Sequence, residues 1–285
     1  MQRPFYLALP SLRPMKYRNH LPHLNGTPML TDGGLETVLI FQQDVELPLF
    51  SDWGKQLGYD QKGLDGVNRR SIEVMQAIQA AHETDHSPMP ISGCVGPRGD
   101  GYTVSLAMTP EESENYHLPQ IRVLADSGAD QLSALTLNYV DEAIGIARAA
   151  ERCKIPVAIS FTVETTGFLP DGQDLGDAIA RCDAETDGYP CYYMINCAHP
   201  THFSPTLAEG GNWRNRIGGI RANASKMSHA ELDDSESLDD GNPLELGHEF
   251  EDLLKMAPRL SVFGGCCGTD HRHIEAIARS VAVRC

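Results

Sequence analysis

The sequence predicts an α/β protein of the TIM-type (β/α)8 barrel class, and three observations carry that prediction. Strand-like and helix-like segments alternate regularly from Asp130 to the C-terminus, which implies a parallel sheet with helical crossovers. Nearly every strand-like run ends in polar or Gly-rich residues, as at Asn196-Cys197 and Gly264-Gly265. The chain has 285 residues, enough for one large barrel, and no repeat, low-complexity linker or composition break divides it. A doubly wound sheet also satisfies the alternation, but the length and the strand-end signals favour the barrel. Its chemistry would sit at the C-terminal ends of the strands. The expected organisation is an N-terminal extension over residues 1–16 and one barrel domain over 17–285.

In chain order, the first 31 residues carry Arg3, Arg13, Lys16 and Arg18, with no acid before Asp32. Pro4, Pro10, Pro14 and Pro22 oppose the amphipathic helix of a transit peptide, so a disordered tail is the reading. Met29-Leu30-Thr31 reads as a short strand running into Asp32-Gly33-Gly34, and Leu35, Val38, Leu39 and Phe41 then recur at helical spacing. Pattern is lost from Gln42 to Asn68, where Pro48, Gly54, Gly58, Gly63 and Gly66 interrupt it. A helix is expected over Arg69 to His82 and a strand over Pro90 to Val95. Thr109-Pro110-Glu111-Glu112 is a helix start: an N-cap, proline at the first position and acids in the first turn.

Strands are then expected at Asp130–Asn138, Pro156–Val163, Pro190–Asn196, Ile217–Ala222 and Leu260–Phe263. Helices are expected at Val140–Cys153, Asp174–Asp183, Thr201–Gly210, Asn242–Met256 and Asp270–Val281. The acidic run from Glu231 to Asp240 reads as a solvated loop. This makes seven strands, with no clear second strand after the first helix. Either the segment around residues 42–68 closes the barrel irregularly, or the barrel has an open seam with an unpaired edge.

The formal net charge of −16 and pI of about 5.0 exclude the basic face that nucleic acid or an anionic membrane demands. No apolar run approaches the roughly 18 residues of a membrane-spanning helix. Eight cysteines scattered through a long chain without an export signal point to a reducing cytoplasm. Small molecules and proteins remain as partners, and homo-oligomers stay open.

Val262-Phe-Gly-Gly-Cys-Cys-Gly-Thr-Asp270 presents two adjacent thiols where a strand should end. Taken alone it is a metal half-site, a pair of small buried residues or a strained vicinal disulfide. Cys197 ends another strand, so in a barrel Cys197, Cys266 and Cys267 share one rim. Three protein thiolates and one open position is the arrangement of catalytic zinc, and soft sulfur argues against Mg²⁺ or Ca²⁺. The Asp32-Gly33-Gly34 turn lets backbone approach a ligand closely, with amides available to an anion such as a carboxylate. An ordinary tight turn with a capping acid is the alternative.

Asn196-Cys197, Gly264-Gly-Cys-Cys-Gly-Thr269 and Thr31-Asp-Gly-Gly34 together resemble the homocysteine S-methyltransferase family, over about Tyr17 to Ala282. The resemblance implies a zinc-containing (β/α)8 barrel with Cys197, Cys266 and Cys267 as the Zn²⁺ ligands. Homocysteine would bind as a thiolate in the fourth position and take a methyl group from a small onium donor such as S-methylmethionine, S-adenosylmethionine or betaine, giving methionine. The family pattern assigns Glu164 to the substrate ammonium, with a plain surface acid as the alternative, and Asp32, Gly33 and Gly34 to the rest of the amino-acid end. The absent strand raises a second reading, a shortened member that binds zinc or an amino acid without turnover. A metal-dependent hydrolase on the same barrel would need His and Asp donors where this chain has cysteines. Arg98, in a Gly-rich loop at a strand end, is a further candidate for touching the donor.

Overall fold

The computed structural model describes residues 15–34 and 51–282. Residues 1–14, the expected helix on Leu35 to Phe41, the rest of the segment to residue 50 and Cys285 lie outside the described residues. Lys16, placed in the extension by its sequence, is tied to the body: its Nζ pairs with Glu83 at 2.8 Å. The neighbouring Tyr17 N–H donates to Asp130 at 2.8 Å.

Seven strands form one parallel sheet: β1 (Met29–Leu30), β2 (Ser92–Val95), β3 (Gln131–Leu137), β4 (Val157–Phe161), β5 (Tyr192–Asn196), β6 (Ile217–Ala222) and β7 (Val262–Gly265). Their order is β1-β7-β6-β5-β4-β3-β2. Among the described residues this is the order of a (β/α)8 barrel with seven of its strands. β1 joins the last strand as barrel closure requires, while β1 and β2 remain as the two edges. Among the described residues nothing pairs across the seam between them.

The segment that reads as irregular is partly helical. It forms α1 (Ser51–Gln56) and the first turns of α2 (Gln61–His82), which begins at Gln61 rather than Arg69. Gly63 and Gly66 look like breakers, but the Asp60 side chain accepts the Gly63 N–H at 2.8 Å and caps the helix. Only Ile72 of α2 is buried, and Val67, Val74, Met75 and Ile78 are exposed.

The remaining helices are α3 (Pro110–Asp126), α4 (Val140–Arg152), α5 (Leu175–Glu185), α6 (Pro200–Glu209), α7 (His229–Asp233), α8 (Pro243–Met256) and α9 (His271–Val281). The expected start of α3 is realised as a full capping box between Thr109 and Glu112. The acidic loop is helical at its start, because Ser228 and Glu231 form a second capping box that nucleates α7.

All five residues of β4 and of β5 are buried, as a parallel sheet covered on both faces requires. The main core lies between sheet and helices and includes Ile121, Leu124, Ile144, Phe161, Phe250 and Ile277. A smaller cluster of Ala158, Tyr192, Met194 and Val262, with Met29 packed on it, fills the barrel interior. At the seam the interior is open. Gly93 faces the Leu124 side chain of α3, so by strand alternation Cys94 points inward, and it is nevertheless exposed. No helix among the described residues is long and apolar enough to cross a membrane.

Candidate metal centre

The sheet delivers its thiols through two unusual backbone turns. Directly after β5, Cys197 adopts a left-handed conformation with φ 54°, and Thr136 in β3 does the same at φ 59°. Such values are costly for residues with a Cβ, most of all a β-branched one, and persist only where neighbours over-determine them. Here buried Asn196 supplies the restraint. Its Oδ1 accepts the Thr136 N–H at 2.8 Å and the Ser160 hydroxyl at 2.6 Å, and its Nδ2 donates to Thr136 Oγ1 at 2.8 Å. Thr136 Oγ1 in turn lies 3.7 Å from Cys197 Sγ.

On β7 the strand ends in glycine for a steric reason: a Cβ at Gly264 would collide with the Thr31 side chain, and one at Gly265 with Thr269. The Cys266 N–H donates to Ala222 O at 2.7 Å, and Cys267 O accepts from Ala224 N–H at 3.0 Å. Gly268 turns the chain with φ 78°. Thr269 Oγ1 donates back to Cys266 O at 2.6 Å.

These turns bring the Sγ atoms of Cys197, Cys266 and Cys267 within 4.8 Å of one another. Cys197 and Cys267 are separated by 4.0 Å. Hydrogen bonds from Cys266 and Cys267 hold the Cys197 thiol well below its ordinary range. The same Cys197 sulfur pushes Cys266 up to about 12 and Cys267 well above its usual value. Of the three sulfurs, Cys197 is therefore the most acidic. A group of this composition can hold a soft metal ion.

Three further side chains frame the cluster. The Tyr102 hydroxyl is 3.9 Å from Cys267 Sγ, and its ring lies against His229 with centroids 3.9 Å apart. Negative charge on Cys197, together with burial, raises the Tyr102 hydroxyl well above its usual range. His229 Nε2 is 2.6 Å from Cys197 O, so that nitrogen carries the hydrogen, since a carbonyl can only accept. Arg221, on β6, donates through Nε to Gly265 O at 3.2 Å and through Nη2 to Asp32 Oδ1 at 2.7 Å.

The residues expected around the substrate lie on the same rim. Asp32 is largely exposed beside Arg221. A Cβ on Gly33 would stand only 3.1 Å from Thr269 O. The Gly34 N–H, expected to be available to an anion, is instead engaged by Thr269 O and Oγ1, each at 3.0 Å. Glu164 lies beyond β4, which ends at Phe161, and its Oε1 faces His229 Nδ1 at 3.5 Å. Glu164 is thus one imidazole away from the Cys197 carbonyl.

Arg98, His199, His202 and His273 have structural partners. His199 caps α6 and His273 caps α9, both buried, and buried His202 contacts Lys226 O at 2.9 Å. Arg98 is engaged by Asp52 at 3.3 Å and lies over the Tyr116 ring. Tyr102, Thr136, Arg221 and His229 escape a reading of the sequence, because they reach the rim from four separate segments. Only the Asn196-Cys197 pair marks the network in the sequence itself.

Comparison with known proteins gives the family. The sequence model of the homocysteine S-methyltransferase family matches residues 50–281. The chain belongs to that family. It is 25% identical over 245 residues to homocysteine S-methyltransferase YbgG of Bacillus subtilis, covering 78% of this chain and 74% of the relative. It is 26% identical over 248 residues to homocysteine S-methyltransferase 4 of Zea mays, covering 79% and 70%. The oxidised form of the homocysteine methyltransferase MmuM from Escherichia coli shares the fold, with a TM-score of 0.67 at 18% identity over 88% of this chain and 95% of that one.

Proposed function

We propose that this family member is a zinc-dependent S-methyltransferase that makes methionine from homocysteine, with a small onium compound as methyl donor. The observation that carries the proposal is the convergence of three thiols at the C-terminal rim, all within 4.8 Å. The donor set fits zinc in chemistry and in size. Tetrahedral Zn²⁺ with Zn–S bonds of about 2.3 Å needs sulfurs about 3.8 Å apart, and Cys197 and Cys267 are 4.0 Å apart. Cys197, Cys266 and Cys267 would hold the ion and leave one position open. When bound, zinc lowers the pKa of a coordinated thiol so that it is a thiolate at neutral pH.

The chain's own residues would hold the rest of the substrate. Glu164 would take the ammonium, supported by its place facing His229. Asp32 and the Gly33-Gly34 turn would form the opposite wall. In the transfer, a sulfur lone pair of homocysteine forms the new S–CH₃ bond. The donor's bond to that methyl breaks, and its electron pair stays on the onium sulfur or nitrogen, which becomes neutral. A small donor such as S-methylmethionine, S-adenosylmethionine or betaine suits an anionic rim. The names of the maize and Bacillus relatives support homocysteine as the acceptor.

Metal analysis of the purified protein beside the Cys266→Ser/Cys267→Ser variant tests the site. One zinc per chain is expected, with none in the variant; equal zinc in both would sink the assignment. Methionine formation from homocysteine with each of the three donors tests the activity. No product from any of them would leave a metal-binding protein without turnover.

A further inference from the structure

β1 is the weakest strand of the sheet. It has two residues, and among the described residues it pairs with β7 alone, through Met29↔Val262 and Leu30↔Phe263, as an edge of the sheet. The Asp32-Gly33-Gly34 turn hangs from this edge. From β7 it is held by Gly265 N–H to Asp32 O at 3.2 Å and by the Gly34 contacts to Thr269. A longer-range restraint comes from β6. Arg221 stands in register with Gly264, whose lack of a side chain leaves a path across β7. The guanidinium spans that path and grips Gly265 O on one strand and Asp32 on the other.

The Arg221 side chain is only 19% exposed. A cation buried to that degree is costly unless paired. Burial pulls its pKa down, but Asp32 and the thiols of Cys266, Cys94 and Cys197 more than offset that and keep it charged. One charged side chain therefore joins the turn of the edge strand to the residue preceding the vicinal cysteines.

We propose that Arg221 is a positioning residue for the amino-acid end of the substrate: it pins the Asp32-Gly33-Gly34 turn to β7 beside the thiol cluster. The sulfur end of the substrate is set by the cysteines and the amino-acid end by the Arg221–Asp32 bridge. This rests on the homocysteine reading above.

The two ends can be tested separately on the full chain loaded with Cd²⁺, whose thiolate absorption band responds to an added thiol ligand. Homocysteine probes both ends and 2-mercaptoethanol probes the sulfur end alone. In Arg221→Met, one Cd²⁺ per chain is expected, with homocysteine binding weakened about tenfold, the scale of one charge-assisted contact. Mercaptoethanol should bind as in the wild type, and Arg221→Lys should recover much of the loss. In turnover, the loss should fall on KM more than on kcat.

Because the two residues act as one unit, Arg221→Met combined with Asp32→Asn should be no worse than the poorer single variant. Unchanged homocysteine binding in Arg221→Met, equal losses for both thiols, or additive effects would each overturn the proposal. If Arg221→Met does not fold, Arg221→Gln, which removes the charge facing Asp32 while keeping a polar side chain, reads the same ratio of affinities. Failure of the homocysteine reading shows elsewhere, as a wild-type Cd²⁺ band that homocysteine does not move, and then both proposals fall.

Discussion

Replacing Asn196 with alanine tests whether the strained turns at Thr136 and Cys197 are held by that one amide. The side chain is buried, and its removal strands the Thr136 N–H and the Ser160 hydroxyl, which now donate to Oδ1 at 2.8 and 2.6 Å. An orphaned buried donor costs about 1–3 kcal/mol. The Ser160 hydroxyl can rotate toward another acceptor, whereas the Thr136 N–H cannot. The expected loss is therefore about 1–3 kcal/mol, a sizeable part of the roughly 5–15 kcal/mol that stabilises a typical domain. Asn196→Asp keeps the acceptor oxygen, and the Thr136 hydroxyl can turn to donate to the new carboxylate, so most of the stability should return. Urea unfolding of the three proteins, with and without a chelator, measures both effects. A loss below about 1 kcal/mol in the alanine variant, or an aspartate variant as unstable as the alanine one, would refute the reasoning.

Gly264→Ala should push β1 away from β7, because the new Cβ meets Thr31 and lies 3.1 Å from Asp32 O. A stability loss of about 1–3 kcal/mol and weaker homocysteine binding are expected, read by thermal melting and ligand titration. Glu249 and His199 lie 3.3 Å apart, but burial drives each toward its neutral form, Glu249 up to about 7 and His199 down to about 4. Between those values the pair is a carboxylic acid beside a neutral imidazole. Because the folded pKa of Glu249 lies above its unfolded value near 4.5, its contribution is fully present below pH 4.5 and lost as pH rises through 7. Glu249→Gln should remove that slope and be the more stable form above pH 7, by up to about 3 kcal/mol. Unfolding curves at pH 5 and pH 8 check the sign.

The seam is where sequence and structure meet most closely. Seven strands can be counted in the sequence, and seven pair among the described residues, with β1 and β2 as edges. What the pattern misjudges is the stretch before Arg69. Gly63 and Gly66 suggest a break, but a cap at Asp60 and the packing of Ile72 carry a helix through them. The short helix His229–Asp233 is hidden in the same way, because a run of acids masks its capping box.

The sequence alone determined the chemistry that can be performed. The identities of Cys197, Cys266 and Cys267, and the glycines that leave room around them, are local facts readable at strand ends. Strand–helix alternation was enough to put those ends on one rim, because a parallel barrel aligns them by construction. The tertiary structure alone decided how the rim is held. Asn196 restrains Thr136 across β4, His229 places its ring between Tyr102 and Glu164, and Arg221 crosses a side-chain-free strand to reach Asp32. These pairings join residues from separate strands and loops through hydrogen bonds that no spacing rule encodes. They matter most at β1, a two-residue strand at the edge of the described sheet, where contacts of this kind supplement two pairs of backbone partners.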